Sequence, residues 1–481
     1  MSGRMDAIIV GGGISGLTVA FFLRRAGLAV SVLEAGDSPG GTMKTVAEGG
    51  WLVETGPNSA LETTPLFGEM FEGLGITGER LYADAAAGRR YILRDAKLHP
   101  LPMSPAAFIV SSLWSAGGKL RLMKEPFVGR AAEEETVAQF VRRRLGPEFL
   151  DYAINPFVAG VYAGDPSSLS VRAAFPKLYA LEERYGGLIR GMVQGAGERR
   201  KRAEKAKDRA RMFSFRNGMQ IFPDALARLP GLDMRLGSAV TSVERKEPPE
   251  GGRGFVVRYR RGGREESLEA SAVVLAVPAY AAGELIRPFS APLAEALGRI
   301  FYPPVTEVFL GFPSASMGRP LDGFGFLVPE REKRNILGTI WTSALFPGRA
   351  PEGHVALTTF VGGSRQPSLA ERDDGELARM VSAELRTLMG VRGDPVYAKI
   401  VRWQKAIPQY TLGHLALMAE LGEFESCMRG LYLGGNYRGG IAVGDCLTAG
   451  ESLARRIAGE NGVPSAGPLS ASLREGDHSQ A

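Results

Sequence analysis

The apolar positions begin a pattern almost at the first residue. Residues 5–10 form an apolar run that predicts a strand, and three glycines follow at 11–13. Over 15–26, Leu17, Ala20, Phe21 and Leu23 recur near helical spacing, and Gly27 closes that helix. Residues 29–34 predict a second strand. Strand, helix and strand within about 30 residues have the size of a βαβ unit. Farther on, 214–230 predict a loop and a helix. Short strands over 234–245, 255–261 and 267–277 follow, divided by the Pro/Gly-rich stretch 247–254 and by Gly262-Gly263, which is the pattern of a β-meander. The run 273–277 predicts a buried strand that stops at Pro278. Strands at 305–312, 323–329, 336–343 and 354–362 predict a second sheet, 369–390 an amphipathic helix, 431–435 a strand and 444–459 a last helix. From Gly462 the chain is rich in Gly, Pro and Ser and is expected to be disordered.

Composition narrows the class. The chain has 481 residues, 44% apolar and 23% charged, which suits a globular protein of two or three domains. Two cysteines, Cys427 and Cys446, are too few for a disulfide framework or an iron–sulfur cluster. The four histidines, His99, His354, His414 and His478, are scattered without a ligand spacing, so no metal is expected and redox chemistry would need an organic cofactor. No segment reads as a signal peptide, and the apolar stretch 270–282 is broken by Pro278 and too short to cross a bilayer. The chain is expected to be cytoplasmic, with peripheral attachment to the inner face of the cell membrane left open. Residues 190–211 hold nine Lys/Arg and three Asp/Glu, so this one segment accounts for the whole-chain charge of +6. A local excess of this kind is not a nucleic-acid-binding composition. It reads either as a solvated charge run or as a surface for anionic lipid headgroups, with Tyr179, Tyr185, Leu188 and Ile189 just before it.

The chemistry starts at Gly11-Gly12-Gly13-Ile14-Ser15-Gly16, in which Gly11, Gly13 and Gly16 fill G-x-G-x-x-G between a strand and a helix. Such glycines allow a tight turn, a close backbone approach to a pyrophosphate and close helix–strand packing, with the helix N-terminus facing the phosphates. Glu34 closes the second strand, where a carboxylate accepts from a ribose 2′-OH and repels a 2′-phosphate. FAD or NAD remain. Gly40-Gly41 and the polar turn Glu54-Thr55-Gly56-Pro57-Asn58-Ser59 favour FAD. So do Gly434-Gly435-Asn436 and residues 439–445, which open a helix toward the reduced-flavin charge. The absence of a second G-x-G-x-x-G argues against a separate NAD(P)H site.

These motifs resemble the amine-oxidase-like flavoprotein superfamily and, within it, the bacterial FAD-dependent protoporphyrinogen oxidase family. The resemblance runs from about residue 5 to about 460 and is carried by 11–16, WLVETGPNS (51–59), RRYIL (89–93), VYAGD (161–165), FGFLVP (324–329), Trp403 with IPQYTLGH (407–414), and 434–447. It implies an α/β fold. An FAD-binding Rossmann-like domain with a β-meander would come from 1–88, 214–290 and 425–460, and an α+β substrate domain from 89–110 and 291–424. A helical membrane-facing subdomain would take 111–213, leaving a tail at 461–481. Besides the glycine motif and Gly41, the resemblance places Glu34, Ala35, Gly56, Pro57, Asn58, Ser59, Val240, Trp403, Ile441, Ala442 and Val443 against FAD. Arg90 would pair with a substrate propionate, and its planar fork suits a carboxylate. Phe324, Leu327 and Phe360 would wall the tetrapyrrole, although each is equally readable as core.

The implied reaction is the six-electron oxidation of protoporphyrinogen IX to protoporphyrin IX in heme biosynthesis. It proceeds by hydride transfer to flavin N5 in three rounds, with O2 as acceptor giving H2O2. No catalytic base is singled out. Other readings are oxidation of coproporphyrinogen III, which needs more pocket cations, a flavin amine oxidase or desaturase, and a non-catalytic FAD-binding protein. Expected partners are the porphyrinogen, O2 and, as a candidate, an anionic membrane surface. The chain is expected to be a monomer or homodimer.

Overall fold

The computed structural model describes residues 5–84, 87–194, 210–246 and 254–463. Residues 7–10 are buried because strand Met5–Val10 lies at the centre of a sheet. It is flanked in parallel by Val30–Leu33 and by Arg264–Leu275. Asp233–Arg235 adds a parallel strand beyond the first neighbour and Leu431–Leu433 beyond the second. The carboxyl ends Leu33, Val10, Leu275 and Leu433 are in register, and a sheet of this kind binds ligands at that edge. Arg264–Leu275 does double duty. Its first half pairs antiparallel with Gly254–Arg261, which pairs in turn with Ser238–Lys246 to complete the meander. Helices Ile14–Arg25 and Val443–Glu460 pack together at Gly450, where an added Cβ would stand 2.9 Å from the Thr18 methyl.

The second sheet runs in the order Tyr397–Trp403, Val305–Pro313, His354–Gly362, Gly338–Ile340, Gly323–Leu327, Arg89–Arg94 and Lys97–Pro100. All neighbours are antiparallel except Gly323–Leu327 with Arg89–Arg94. One face buries Val308, Leu310, Phe312 and Phe326 against Leu377, Val381 and Leu385 of helix Asp374–Met389. Helices between 105 and 194 form a third body around Phe140, Val141, Phe149, Tyr162 and Trp114, which stacks on Phe149 at 4.2 Å. Among the described residues no helix is long and apolar enough to cross a membrane.

A buried ion network holds this third body. Arg144, fully buried, donates to Glu125 at 3.0 Å and to Glu182 at 2.9 Å. Glu125 also accepts from the amides of Leu188 and Ile189, which open helix Leu188–Gln194. Arg143 joins Glu182 to Glu135.

Several expectations change. The strand expected over 336–343 is only Gly338–Ile340; Trp341 is fully buried and the chain then turns into helix Thr342–Leu345. The strand expected over 234–245 divides at Gly237, whose φ of +63° ends one pairing and starts another. The helix expected from 369 begins at Asp374, because the Asp373 side chain caps it by accepting from the Glu376 amide. The buried strand ends at Leu275 rather than 277. Helices Ala279–Ile286, Ala291–Gly298 and His414–Cys427, and strand Tyr397–Trp403, are additions. The basic segment expected at 190–211 falls largely on 195–209, and the tail on 464–481; both lie outside the described residues.

Candidate active site

The glycine turn is forced by contact. Gly11 has φ +104°, donates to Leu33 O at 2.8 Å, and would bring a Cβ within 2.6 Å of Ala276 O. A Cβ on Gly16 would stand 2.1 Å from Gly11 O and 3.1 Å from Ile9 and Ala276. Only glycine lets the helix lie this close to the strand. Gly13 precedes the helix without a side-chain cap, and the first turn holds no acid. The Ile14, Ser15 and Gly16 amides thus have no intrahelical acceptor, which is the arrangement that receives a phosphate.

Glu34 accepts from the Gly12 amide at 2.6 Å and from the Gly36 amide at 2.7 Å, one on each oxygen. Each oxygen retains a lone pair for a sugar hydroxyl. Ala35 beside it is exposed. Gly237 and Ser238 are tied to the same strand end through Gly36 O and Glu34 O, and Val240 follows two residues later, half-buried. Gly40 donates to Gly12 O, and Gly41 comes within 3.3 Å of Gly13 Cα if given a Cβ. Gly56 would clash with Thr42 O at 2.0 Å, so the 55–59 loop packs on the 40–44 loop. Pro57 and Ser59 are half-buried beside Asn58, whose Nδ2 donates to Gly56 O and whose buried Oδ1 finds no partner among the described residues.

Trp403 reaches this loop from the second sheet, its indole donating to Thr55 O at 2.7 Å. Ile441 and Ala442 lead into helix Val443–Glu460, and the Tyr410 hydroxyl bonds Asn436 O and the Gly440 amide just before it. These residues fit a flavin dinucleotide. The uncapped helix start suits a diphosphate, Glu34 an adenosine ribose, and the orphaned Asn58 Oδ1 a donor from outside the protein.

The sheet register gathers most of the expected substrate residues. Ile92, Leu327, Gly338, Phe360, Glu307 and Val401 stand in one cross-strand row. The next row on that face contains Arg90, Gly325, Ile340, Thr358, Phe309 and Lys399. Leu327 lies against Gly160, whose Cβ would meet it at 2.6 Å, and Phe360 packs on Ala159 and Ala163. Both are half-buried under helix Asn155–Tyr162. Phe324 falls at a bulge, with its ring centroid 5.9 Å from the Arg90 guanidinium. Arg90 is exposed and makes no ion pair among the described residues, whereas Arg89 bonds Asp322 at 2.6 Å.

One residue of that row was not foreseen. Glu307 is 5% exposed, lies beside the Asn58 and Trp403 side chains, and has no partner for Oε2 among the described residues. Burial holds its carboxyl well above the ordinary range and the Glu54 carboxyl adds to this, while Asn58 and Trp403 oppose it. Glu54 is itself pushed up to about 7 by burial, against the Thr45 hydroxyl, buried Arg349 at 3.7 Å and the Met219 amide. The signal was available, because Glu307 is the one charged residue in the strand Val305–Pro313, whose other residues are apolar or glycine apart from Thr306.

A family profile described as flavin containing amine oxidoreductase matches residues 14–458. The chain is similar to the chloroplastic protoporphyrinogen oxidase of Nicotiana tabacum, 34% identical over 95% of this chain and 86% of that protein. It is also similar to the coproporphyrinogen III oxidase of Bacillus subtilis, 28% identical over 94% and 97% of the two chains. A solved structure from Exiguobacterium sp. 255-15 shares the fold with a TM-score of 0.79, at 23% identity over 96% of this chain and all of that one.

Proposed function

This chain is a member of the flavin-containing amine oxidoreductase family, and on that footing we propose that it oxidises protoporphyrinogen IX to protoporphyrin IX, with oxygen as electron acceptor and hydrogen peroxide as by-product. It is an FAD-dependent oxidoreductase acting on a porphyrinogen in heme biosynthesis. Bound FAD supplies the electron-pair acceptor that no side chain provides. In this reading the Gly11–Gly16 amides hold its diphosphate and Glu34 its ribose, while Ala35, Gly41, Val240, Trp403, the 56–59 loop and Ile441 to Val443 line its length. The parallel-sheet body is the FAD domain, the second sheet with its helix the substrate domain, and the helices between 105 and 194 the membrane-facing part. The apolar face holding Leu327 and Phe360, with Phe324 at its edge, orients the macrocycle.

The observation that carries the choice of substrate is Arg90, an arginine that makes no ion pair among the described residues, on a sheet face that also carries Ile92, Leu327, Phe360 and Phe309. A propionate on an apolar ring is the complement of that arrangement. Lys399, on the same face, is already engaged by Glu48 at 3.5 Å, which favours the porphyrinogen with fewer carboxylates. The test supplies protoporphyrinogen IX and coproporphyrinogen III separately and follows porphyrin fluorescence and peroxide. Turnover of neither sinks the reading. Arg90→Ala is expected to raise KM for the preferred porphyrinogen by about tenfold, the loss of one charge-assisted bond, with flavin content unchanged. Loss of flavin in that variant would assign Arg90 elsewhere.

The protein is proposed to work in the cytoplasm against a membrane surface. Ile109, Val110, Met123, Phe127, Met192 and Val193 are exposed, with Val110 at 83% and Phe127 at 84%. They come from elements tied together by Lys119, which bonds Ile109 O and Ser111 O, and by Glu125. Such a patch beside lysines suits an anionic bilayer. Phe127→Asp is expected to lower partition into anionic vesicles about tenfold in co-sedimentation, from lost apolar burial. Equal partition would remove Phe127 from the contact.

A further inference from the structure

We propose that Glu307 is the catalytic base of the substrate face, taking the proton that leaves the porphyrinogen as each pair of electrons is withdrawn. The inference rests on the porphyrinogen reading and adds a role to it. Three observations carry it. Glu307 is the acid on the sheet row that holds Phe360 and Leu327, level with both by register. It is nineteen-twentieths buried, at 5% exposure, and although the Asn58 and Trp403 side chains bear on the carboxyl, its Oε2 has no hydrogen-bond partner among the described residues. It stands beside Asn58 and Trp403, so the same carboxyl adjoins the loop proposed to hold the flavin. A buried acceptor left unpaired is costly unless a ligand pairs it. A porphyrinogen presents pyrrole N–H donors at the centre of an otherwise apolar ring.

The balance is simple. In each two-electron round one hydrogen leaves a bridge carbon as hydride, for which FAD held by the Gly11–Gly16 turn and Glu34 would be the acceptor. A second hydrogen leaves as a proton whose bonding pair enters the new conjugated system; over the three rounds two of these protons come from pyrrole nitrogens and one from the remaining bridge carbon by tautomerisation, so four C–H and two N–H hydrogens are lost in all. Glu307 forms the O–H bond and must release that proton before the next round. Glu54 is the neighbouring group whose charge acts on Glu307, and it stands 3.7 Å from the buried Arg349 guanidinium. From the other elements around Glu307, Asn58, Trp403, Val401 and Phe360 bring no charge, and Lys399 on the same face is held by Glu48. Burial raises the Glu307 pKa, so its basic form, and the rate, grow as pH rises through that pKa.

The experiment is single-turnover anaerobic reduction of the holoenzyme's flavin by protoporphyrinogen IX across pH. Glu307→Gln is expected to slow reduction about 10²-fold and to abolish the rise with pH, while flavin content and substrate affinity stay as in the wild type. Glu307→Asp, which keeps the carboxyl at a shorter reach, should retain the rise at a lower rate. An independent readout is infrared titration of the oxidised enzyme without substrate, in which Glu307→Gln should delete one protonated-carboxyl band. A glutamine variant that keeps the wild-type rate and pH profile, or that loses its flavin, overturns the inference. Wild-type flavin that no porphyrinogen reduces would instead overturn the substrate reading.

Discussion

Gly16→Ala is expected to purify colourless. The added methyl would stand 2.1 Å from Gly11 O, with Ile9 and Ala276 side-chain atoms at 3.1 Å on its other sides. The first obstacle is backbone and cannot swing away, so the helix must lift from the central strand. Lifting it displaces the Ile14, Ser15 and Gly16 amides, which have no intrahelical acceptor. Overpacking alone costs about 1–3 kcal/mol, and at about 1.4 kcal/mol per decade flavin affinity should fall at least about tenfold to a hundredfold. Gly459→Ala is the control. It lies in helix Val443–Glu460 with nothing within 4 Å of the new methyl, so it should keep its flavin and gain up to about 1 kcal/mol of helix stability. The ratio of flavin to protein absorbance reads both. A yellow Gly16→Ala protein with full flavin occupancy would disconnect the helix start from the diphosphate.

Arg144→Met is expected to cost about 3–5 kcal/mol, the penalty for removing one partner of a buried ion network. Among the described residues Glu125 would keep the Leu188 and Ile189 amides, and Glu182 would keep Arg143. In a chain of several bodies the loss should be read locally, as faster amide exchange in Val137–Arg144 and Pro176–Tyr185. The pH dependence has a definite sign. Burial alone would raise the Glu182 pKa, but the bonds from Arg144 and Arg143 outweigh it and hold the carboxyl below its ordinary value. A carboxylate depressed on folding contributes its stability above the unfolded value, about 4.3. That contribution drains away as pH falls through the lower folded value. Protection of these helices should weaken in that acid window in the wild type and change less in the variant. Unchanged exchange at neutral pH in Arg144→Met would show the network to be dispensable.

What was legible beforehand was local. The glycine turn, the helix it opens and Glu34 sit within one βαβ stretch, so spacing alone brought them together. Trp403 was placed by resemblance, since its strand reads YAKIVRW, an edge mixture of polar and apolar residues without clean alternation. Helix Ala279–Ile286 was missed because alanines fill both its buried and its open face. The 234–245 stretch looked continuous because Gly237 interrupts no apolar pattern, although its backbone redirects the chain. Glu307 could be noticed as an oddity in its strand. Its meaning depends on a row assembled from segments near 92, 327, 338, 360 and 401, and no periodicity along one strand reports that.

Strand Arg264–Leu275 serves both the parallel core and the meander, and strand Leu431–Leu433 closes that core from the far end of the chain. On a ribosome this imposes a wait. At roughly 5–20 residues per second, the first strand emerges tens of seconds before its last sheet-mates exist. During that interval the apolar stretch around Ile8, Ile9 and Val10 has no native cover and is a ready substrate for chaperones. Shortening the polypeptide before residue 443 would leave the first helix without its packing partner Val443–Glu460, so even the amino-terminal third would fail to mature.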